Sequence, residues 1–193
     1  MLSESERHTL LKIARETITT AAAHQPLSKI DLASLPPALR EERTCFVTLT
    51  LHGGLRGCIG GLEAREPLAL DVQEHAMGAA TYDPRFDPVT SDEAERLHIE
   101  ISVLTTPEPI AYQTPDELLK ILRPRIDGVM LKQDFRRATF LPQVWEKIPD
   151  PQTFLEMLSE KMGARYDAWR SPTTEAFRYQ VEMFEEEKEI RKT

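Results

Sequence analysis

CFVTLTLHGGLRGCIGG, residues 45–61, is the stretch whose reading decides the fold class. Val47, Leu49 and Leu51 alternate with Thr48, Thr50 and His52, the period-two pattern of a half-buried strand. Gly53 and Gly54 supply the positive φ that a tight turn needs, so residues 45 to 59 are predicted to form a β-hairpin. A two-residue Gly53-Gly54 loop would place His52 opposite Leu55 and Cys58 opposite Leu49. Cys45 would then face Leu62, and a Cys45–Cys58 disulfide would need another register. A bulge in so glycine-rich a turn would shift the pairing and move side chains to the other face.

Working outward, Ser3 and Glu6 have capping-box spacing ahead of an apolar stripe of Leu10, Leu11, Ile13, Ala14 and Ile18, which predicts an N-terminal helix. Leu35-Pro36-Pro37 is a stiff connection. Pro67 opens a second helix running to about Thr81, and Asp83-Pro84-Arg85-Phe86-Asp87-Pro88 forbids its continuation. Residues 97–104 form a strand, with Leu97, Ile99, Ile101 and Val103 on one face and His98, Glu100 and Ser102 on the other.

Beyond Pro107 and Pro109 the chain enters a second half, the division falling near 107–114. Thr114-Pro115 starts a short helix. Residues 128–132 and 137–141 are strands about a Gln133-Asp134 turn, and Asp150-Pro151 starts a helix that Gly163 stops. A final strand carries Phe177, Tyr179, Val181 and Met183 against Arg178, Gln180 and Glu182. The acidic run from Glu185 leads into a tail, 186–193, expected to fray. Mixed helices and strands with hairpin connections give an α+β class, mainly antiparallel sheets flanked by helices, in a single domain across 1–193.

Of 193 residues, 40% are hydrophobic and 29% charged, which fits a chain with a buried core and not a disordered one. The formal net charge of -8 repels phosphate backbones and anionic lipid, so neither nucleic acid nor a membrane surface is an expected partner. No window approaches the ~18 apolar residues of a membrane span. The Met1-Leu-Ser-Glu start lacks signal-peptide chemistry, so a cytoplasmic location with two free thiols is expected. Five scattered histidines and two cysteines offer no ligand spacing, so neither a metal nor a cofactor is expected.

Five glycines between positions 53 and 61 surround Arg56 and Cys58. Glycine is tolerated in a strand where backbone must approach something closely. Arg56, two residues before Cys58, would favour the reactive thiolate, and bare N–H groups about Gly57 and Gly60 would hold an anion. The bland alternative is a bulged hairpin with a buried, inert cysteine. Glu100 is a proton carrier or a structural acceptor. Arg85 clamps a substrate carboxylate or holds its own loop through backbone carbonyls. Asp83 is a binding residue or a turn residue, His52 a binding residue or an exposed hairpin tip, and His75 a binding residue or a satisfied core histidine. Phe140 and Trp145 read as packing before they read as a ligand platform.

LRGCIG at 55–60, with DPRF at 83–86, EISVLTTPEPI at 100–110, TFLPQVW at 139–145 and FRYQVEMF at 177–184, resembles the AMMECR-type domain, protein A of the AmmeMemoRadiSam system. The resemblance covers about residues 8 to 185. It implies two lobes with LRGCIG lining a cleft between them, and a setting beside a radical-SAM protein and a Memo-like protein. Arg56, Gly57, Cys58, Gly60, Asp83, Arg85, Phe86 and Glu100 match its motifs, as do residues 140–143. His75 departs from the smaller amide expected there. Two function classes follow: a component with a small, anionic substrate and a Cys58 thiolate, or a non-catalytic module that docks a ligand or these partners.

Overall fold

The computed structural model describes residues 1–187. In chain order its main elements are α1 (Glu4–Ala22), β1 (Cys45–Leu51), β2 (Gly54–Gly60), α2 (Leu68–Thr81), α3 (Ser91–Ala94), β3 (His98–Leu104) and β4 (Glu108–Pro109). Then come α4 (Pro115–Ile121), β5 (Gly128–Gln133), β6 (Arg136–Phe140), α5 (Pro151–Lys161), β7 (Glu175–Tyr179) and β8 (Val181–Glu185). The class is α+β, with two four-stranded sheets ordered β2-β1-β3-β8 and β4-β7-β5-β6. The chain divides into two compact units: Met1–Leu104 with the segment from Glu182, and Thr105–Val181. The division thus falls just before the prolines at 107 and 109.

The first unit is built from amphipathic elements on one sheet face. The capping box closes as expected, Glu6 N–H donating to Ser3 Oγ at 3.3 Å and Ser3 N–H to Glu6 Oε2 at 2.7 Å. Leu10, Ala14 and Ile18 of α1 and Val72 and Ala76 of α2 bury against Val47, Leu49, Ile99 and Ile101. Burying an aliphatic side chain of this size stabilises by about 1.5–3 kcal/mol, so this row is what commits β1 and β3 to their register.

The hairpin turn is one residue earlier than the glycine pair suggests. His52 and Gly53 occupy it, with φ of 53° and 80°, and Leu51 pairs with Gly54. Two positive φ values make the turn whose twist matches its strands. A bulge follows: Thr50 pairs with Leu55 but Leu49 with Gly57, leaving Arg56 as the extra residue. Cys58 therefore pairs with Thr48, not Leu49. The bulge moves Cys58 to the sheet face opposite the helices, whereas Cys45 lies on the helix face, fully buried. That separation rules out a disulfide between them in this fold.

In the second unit Trp145 stacks on Phe154, centroids 3.7 Å apart, and its Nε1 donates to Asp127 O at 2.7 Å. Phe140 meets Phe154 edge-on at 5.2 Å, so both aromatics are core residues. The buried Asp127 carboxylate accepts from Arg123 Nη2 at 2.6 Å.

The final alternating run is two strands. β7 pairs with β5, and after Gln180 the chain joins β3 as β8. The break reverses the alternation: Tyr179 is buried in β7, but Phe184 is the buried residue of β8 and Met183 is exposed. The tail is pinned at its first residue, since Glu186 N–H donates to Ile99 O at 3.0 Å and its carboxylate pairs with Arg15. The remaining expectation of fraying, for 188–193, lies outside the described residues.

Candidate functional site

Register on the open face of the first sheet sets one row across three strands: Cys58 on β2, Thr48 on β1, Glu100 on β3. Strands lie about 4.8 Å apart, so Cys58 and Glu100 stand roughly 10 Å apart with Thr48 between them. All three are half-buried. The Thr48 hydroxyl donates to Cys58 Sγ at 3.4 Å. Thr48 carries no motif signal; only strand pairing reveals it.

β2 is an edge strand, and the loop after α2 closes that edge. The Asp83 carboxylate accepts the Cys58 N–H at 2.8 Å, and Arg85 Nη2 donates to the Cys58 carbonyl at 3.2 Å. An aspartate and an arginine thus stand where a neighbouring strand would supply a carbonyl and an N–H. Asp83 and Arg85 are themselves joined in a fork, Nε to Oδ1 at 2.9 Å and Nη2 to Oδ2 at 2.6 Å. The hydrogen bond from Arg85, ahead of the opposing effect of burial, holds the Asp83 carboxyl well below the usual carboxylate range. Asp83 is a turn residue, as one reading had it, and also a buried anchor with 2% of its side chain exposed.

Arg56 does not serve the sulfur. Projecting from the bulge, it donates to Glu93 Oε1 at 2.9 Å and Oε2 at 3.1 Å, and to the carbonyls of Asp87 and Pro88. The Glu93 carboxyl is lowered to about 2, first by Arg56 and then by the Thr90 backbone. The cation facing Cys58 is Arg85. Its own pKa is raised chiefly by Asp83, and Cys58 adds to that effect. Phe86 lies within 5.9 Å of Arg56 and 5.5 Å of Arg85, packing both guanidinium groups. LRGCIG and DPRF, far apart in sequence, form one interlocked body.

The glycines answer to packing. A Cβ on Gly57 would lie 2.1 Å from the Ala79 carbonyl oxygen, so its bareness admits α2 against β2. A Cβ on Gly60 would lie 2.3 Å from the Phe46 ring. The expected bare anion cradle is replaced by helix backbone and an aromatic ring, and the Cys58 N–H is already taken by Asp83.

Glu100 sits beside His98 and Glu185, which meet at 3.0 Å between Nε2 and Oε2. Burial, then Glu185, raise the Glu100 carboxyl, while His98 opposes them. His98 and Glu185 thus set the surroundings of Glu100, though neither was singled out by sequence as a site residue. His52 is exposed at the hairpin tip, three residue pairs from Cys58. His75 belongs to the helix face, where Nδ1 meets Asp71 Oδ2 at 3.0 Å and Cys45 Sγ at 3.9 Å. Burial first, then Asp71, push the Cys45 thiol up. Of the nine expected site residues, Cys58, Glu100, Asp83 and Arg85 converge, Arg56 braces the loop from behind, and His52 and His75 stand apart.

The AMMECR1 family model matches residues 11–184. The chain belongs to the AMMECR1 family. It is 37% identical over 191 residues to a protein of Methanothermobacter thermautotrophicus, covering 96% of this chain and 97% of that one. Protein MJ0810 of Methanocaldococcus jannaschii is 38% identical over 165 residues, covering 82% and 80%. The crystal structure of the uncharacterized protein PH0010 from Pyrococcus horikoshii superposes with a TM-score of 0.86 at 30% identity, over 96% of this chain and 94% of that one. The AMMECR1 fold is thereby placed on solved coordinates. Among the described residues no helix is long and apolar enough to cross a membrane.

Proposed function

We propose that the Cys58–Thr48–Glu100 row binds a small anionic molecule and that Cys58 is its nucleophile. The contact that carries the reading is the Thr48 hydroxyl donating to Cys58 Sγ, because it holds the sulfur on the open face of the sheet beside a polar group. Arg85, half-exposed and facing Cys58, supplies positive charge for an anionic group. Glu100, its carboxyl raised by burial, is suited to deliver a proton. The thiolate would form a bond to an electrophilic carbon as the bond from that carbon to the leaving group breaks, and a water beside Glu100 would carry its proton across the row to the departing group. Membership in the AMMECR1 family supports a place beside a radical-SAM protein and a Memo-like protein.

One observation favours a non-catalytic docking module instead: both arginines near the row already carry carboxylate partners, Arg56 with Glu93 and Arg85 with Asp83. Alkylation separates the two readings. Iodoacetamide at neutral pH, with peptide mass mapping, should modify Cys58 rapidly while buried Cys45 provides an unreactive internal standard. Equal, slow modification of both thiols would remove the nucleophile and leave the docking module.

A further inference from the structure

The helix face of the same sheet holds a second cluster that neither motif nor family membership assigns. Cys45 Sγ, Asp71 and His75 present ligand atoms all within 4.8 Å of one another. We infer that Cys45 Sγ, His75 Nδ1 and Asp71 Oδ2 form a three-ligand site for a divalent cation of the zinc class. The sequence offers no metal spacing because the site is assembled by packing. Asp71 and His75 are one helical turn apart on α2, and Cys45 arrives from the start of β1.

Geometry supports the assignment. Zinc holds sulfur at about 2.3 Å and nitrogen or carboxylate oxygen at about 2.0–2.2 Å, so tetrahedral ligands stand roughly 3.4–3.6 Å from one another. Here Sγ to Nδ1 is 3.9 Å and Nδ1 to Oδ2 is 3.0 Å. These two spacings need adjustments of about half an ångström, within side-chain torsional freedom, and the Cys45 and Asp71 ligand atoms already lie within 4.8 Å of each other. Charge also balances: one thiolate and one carboxylate neutralise a dication, the Cys45 proton leaving to solvent.

The surroundings have the parts a metal ligand needs behind it. Asp71 accepts from Cys45 N–H at 2.8 Å and from Thr44 Oγ1 at 3.3 Å, which fixes its carboxylate plane. Gly61 brings its backbone close against Thr44 Oγ1 and the His75 ring, where a Cβ would lie 2.8 Å from the hydroxyl and 3.3 Å from Cε1, so a side chain there would crowd the cluster. The His75 side chain is 13% exposed, so of the three ligands its ring is the one that reaches the surface. Glu66 and Glu74 lie beside Asp71 and His75.

The full chain, stripped with chelator, is titrated with cobalt(II) as a spectroscopic substitute and with zinc. One equivalent should bind, with a near-ultraviolet thiolate-to-cobalt charge-transfer band and tetrahedral d–d bands. Cys58→Ser should keep the band and Cys45→Ala should abolish it. His75→Asn should weaken binding at least about tenfold, ligand loss costing no less than loss of an outer-shell partner. Zinc should also raise the melting temperature of the wild type, and raise that of His75→Asn by less at the same zinc concentration. No stoichiometric cobalt, a band that survives Cys45→Ala, or unchanged affinity in His75→Asn would overturn the site. If Cys45→Ala does not fold, Cys58→Ser and His75→Asn still decide it. Because Cys58 lies on the other face, none of these outcomes bears on its alkylation.

Discussion

Replacing Asp83 with asparagine strikes the joint between LRGCIG and DPRF. The carboxylate accepts four hydrogen bonds: Cys58 N–H at 2.8 Å, Arg85 N–H at 3.1 Å, Arg85 Nε at 2.9 Å and Arg85 Nη2 at 2.6 Å. An asparagine oxygen can keep the Arg85 N–H and Nε. Its NH2 group would then oppose Cys58 N–H and Arg85 Nη2, donor against donor. Hydrogen bonds to charged groups contribute about 1.5–3 kcal/mol each, and screening at half-exposed Arg85 reduces its share. The expected loss is about 3 kcal/mol, or about 6–12 °C in melting temperature for a chain of this size. Urea denaturation across pH checks the cause as well as the size. The folded carboxyl is depressed below its unfolded value of about 3.9. Its stabilisation is therefore complete above that pH and fades as the pH falls toward the depressed folded value. The gap between wild type and variant should be full at neutral pH and narrow below about pH 4. A gap under about 0.5 kcal/mol, against the 1.5–3 expected of even one charge-assisted bond, or one that does not vary with pH, would refute the edge-closing role.

Gly57→Ala should cost about 3 kcal/mol by overpacking, because its Cβ would lie 2.1 Å from helix backbone that cannot rotate away; calorimetry showing an unchanged melting temperature would contradict this. Glu93→Gln should destabilise by about 1–2 kcal/mol at pH 7 through the lost Arg56 fork, and the difference should vanish as the pH falls from about 4.3 toward the native value of about 2. Glu100→Gln runs the other way: a carboxyl raised in the folded state favours the protein protonated, so it opposes folding increasingly as pH rises through the unfolded value. The variant should gain stability near neutrality and lose that gain in acid, while any turnover that needs the Glu100 proton disappears. Trp145→Ala should cost about 3–5 kcal/mol, since it removes a fully buried ring stacked on Phe154; a smaller loss by urea titration would mean the second core refills the space.

Local chemistry was legible in the residues themselves. The capping box at Ser3 and Glu6, the alternation of Val47 and Leu49 with Thr48, and Pro115 and Pro151 at helix starts all appear in the fold, because each depends on neighbours within a few positions. Cys58, Asp83 and Arg85 stood out as polar or reactive types beside glycine or proline, and Glu100 as the acidic residue on the polar face of an alternating run.

What each residue faces was decided only by packing. The bulge at Arg56 reverses side-chain direction beyond it, so one residue of register sends Cys58 to the open face and gives its cation as Arg85 instead of Arg56. The strand ending at Met183 became two because Gln180 lets the chain leave one sheet for another, which no period-two pattern records. Thr48 beside Cys58, Glu93 on Arg56, and Cys45 with Asp71 and His75 are pairings across 10 to 37 positions. Periodicity reports which side of an element is buried; which distant element lies against it depends on how the helices and sheet pack together.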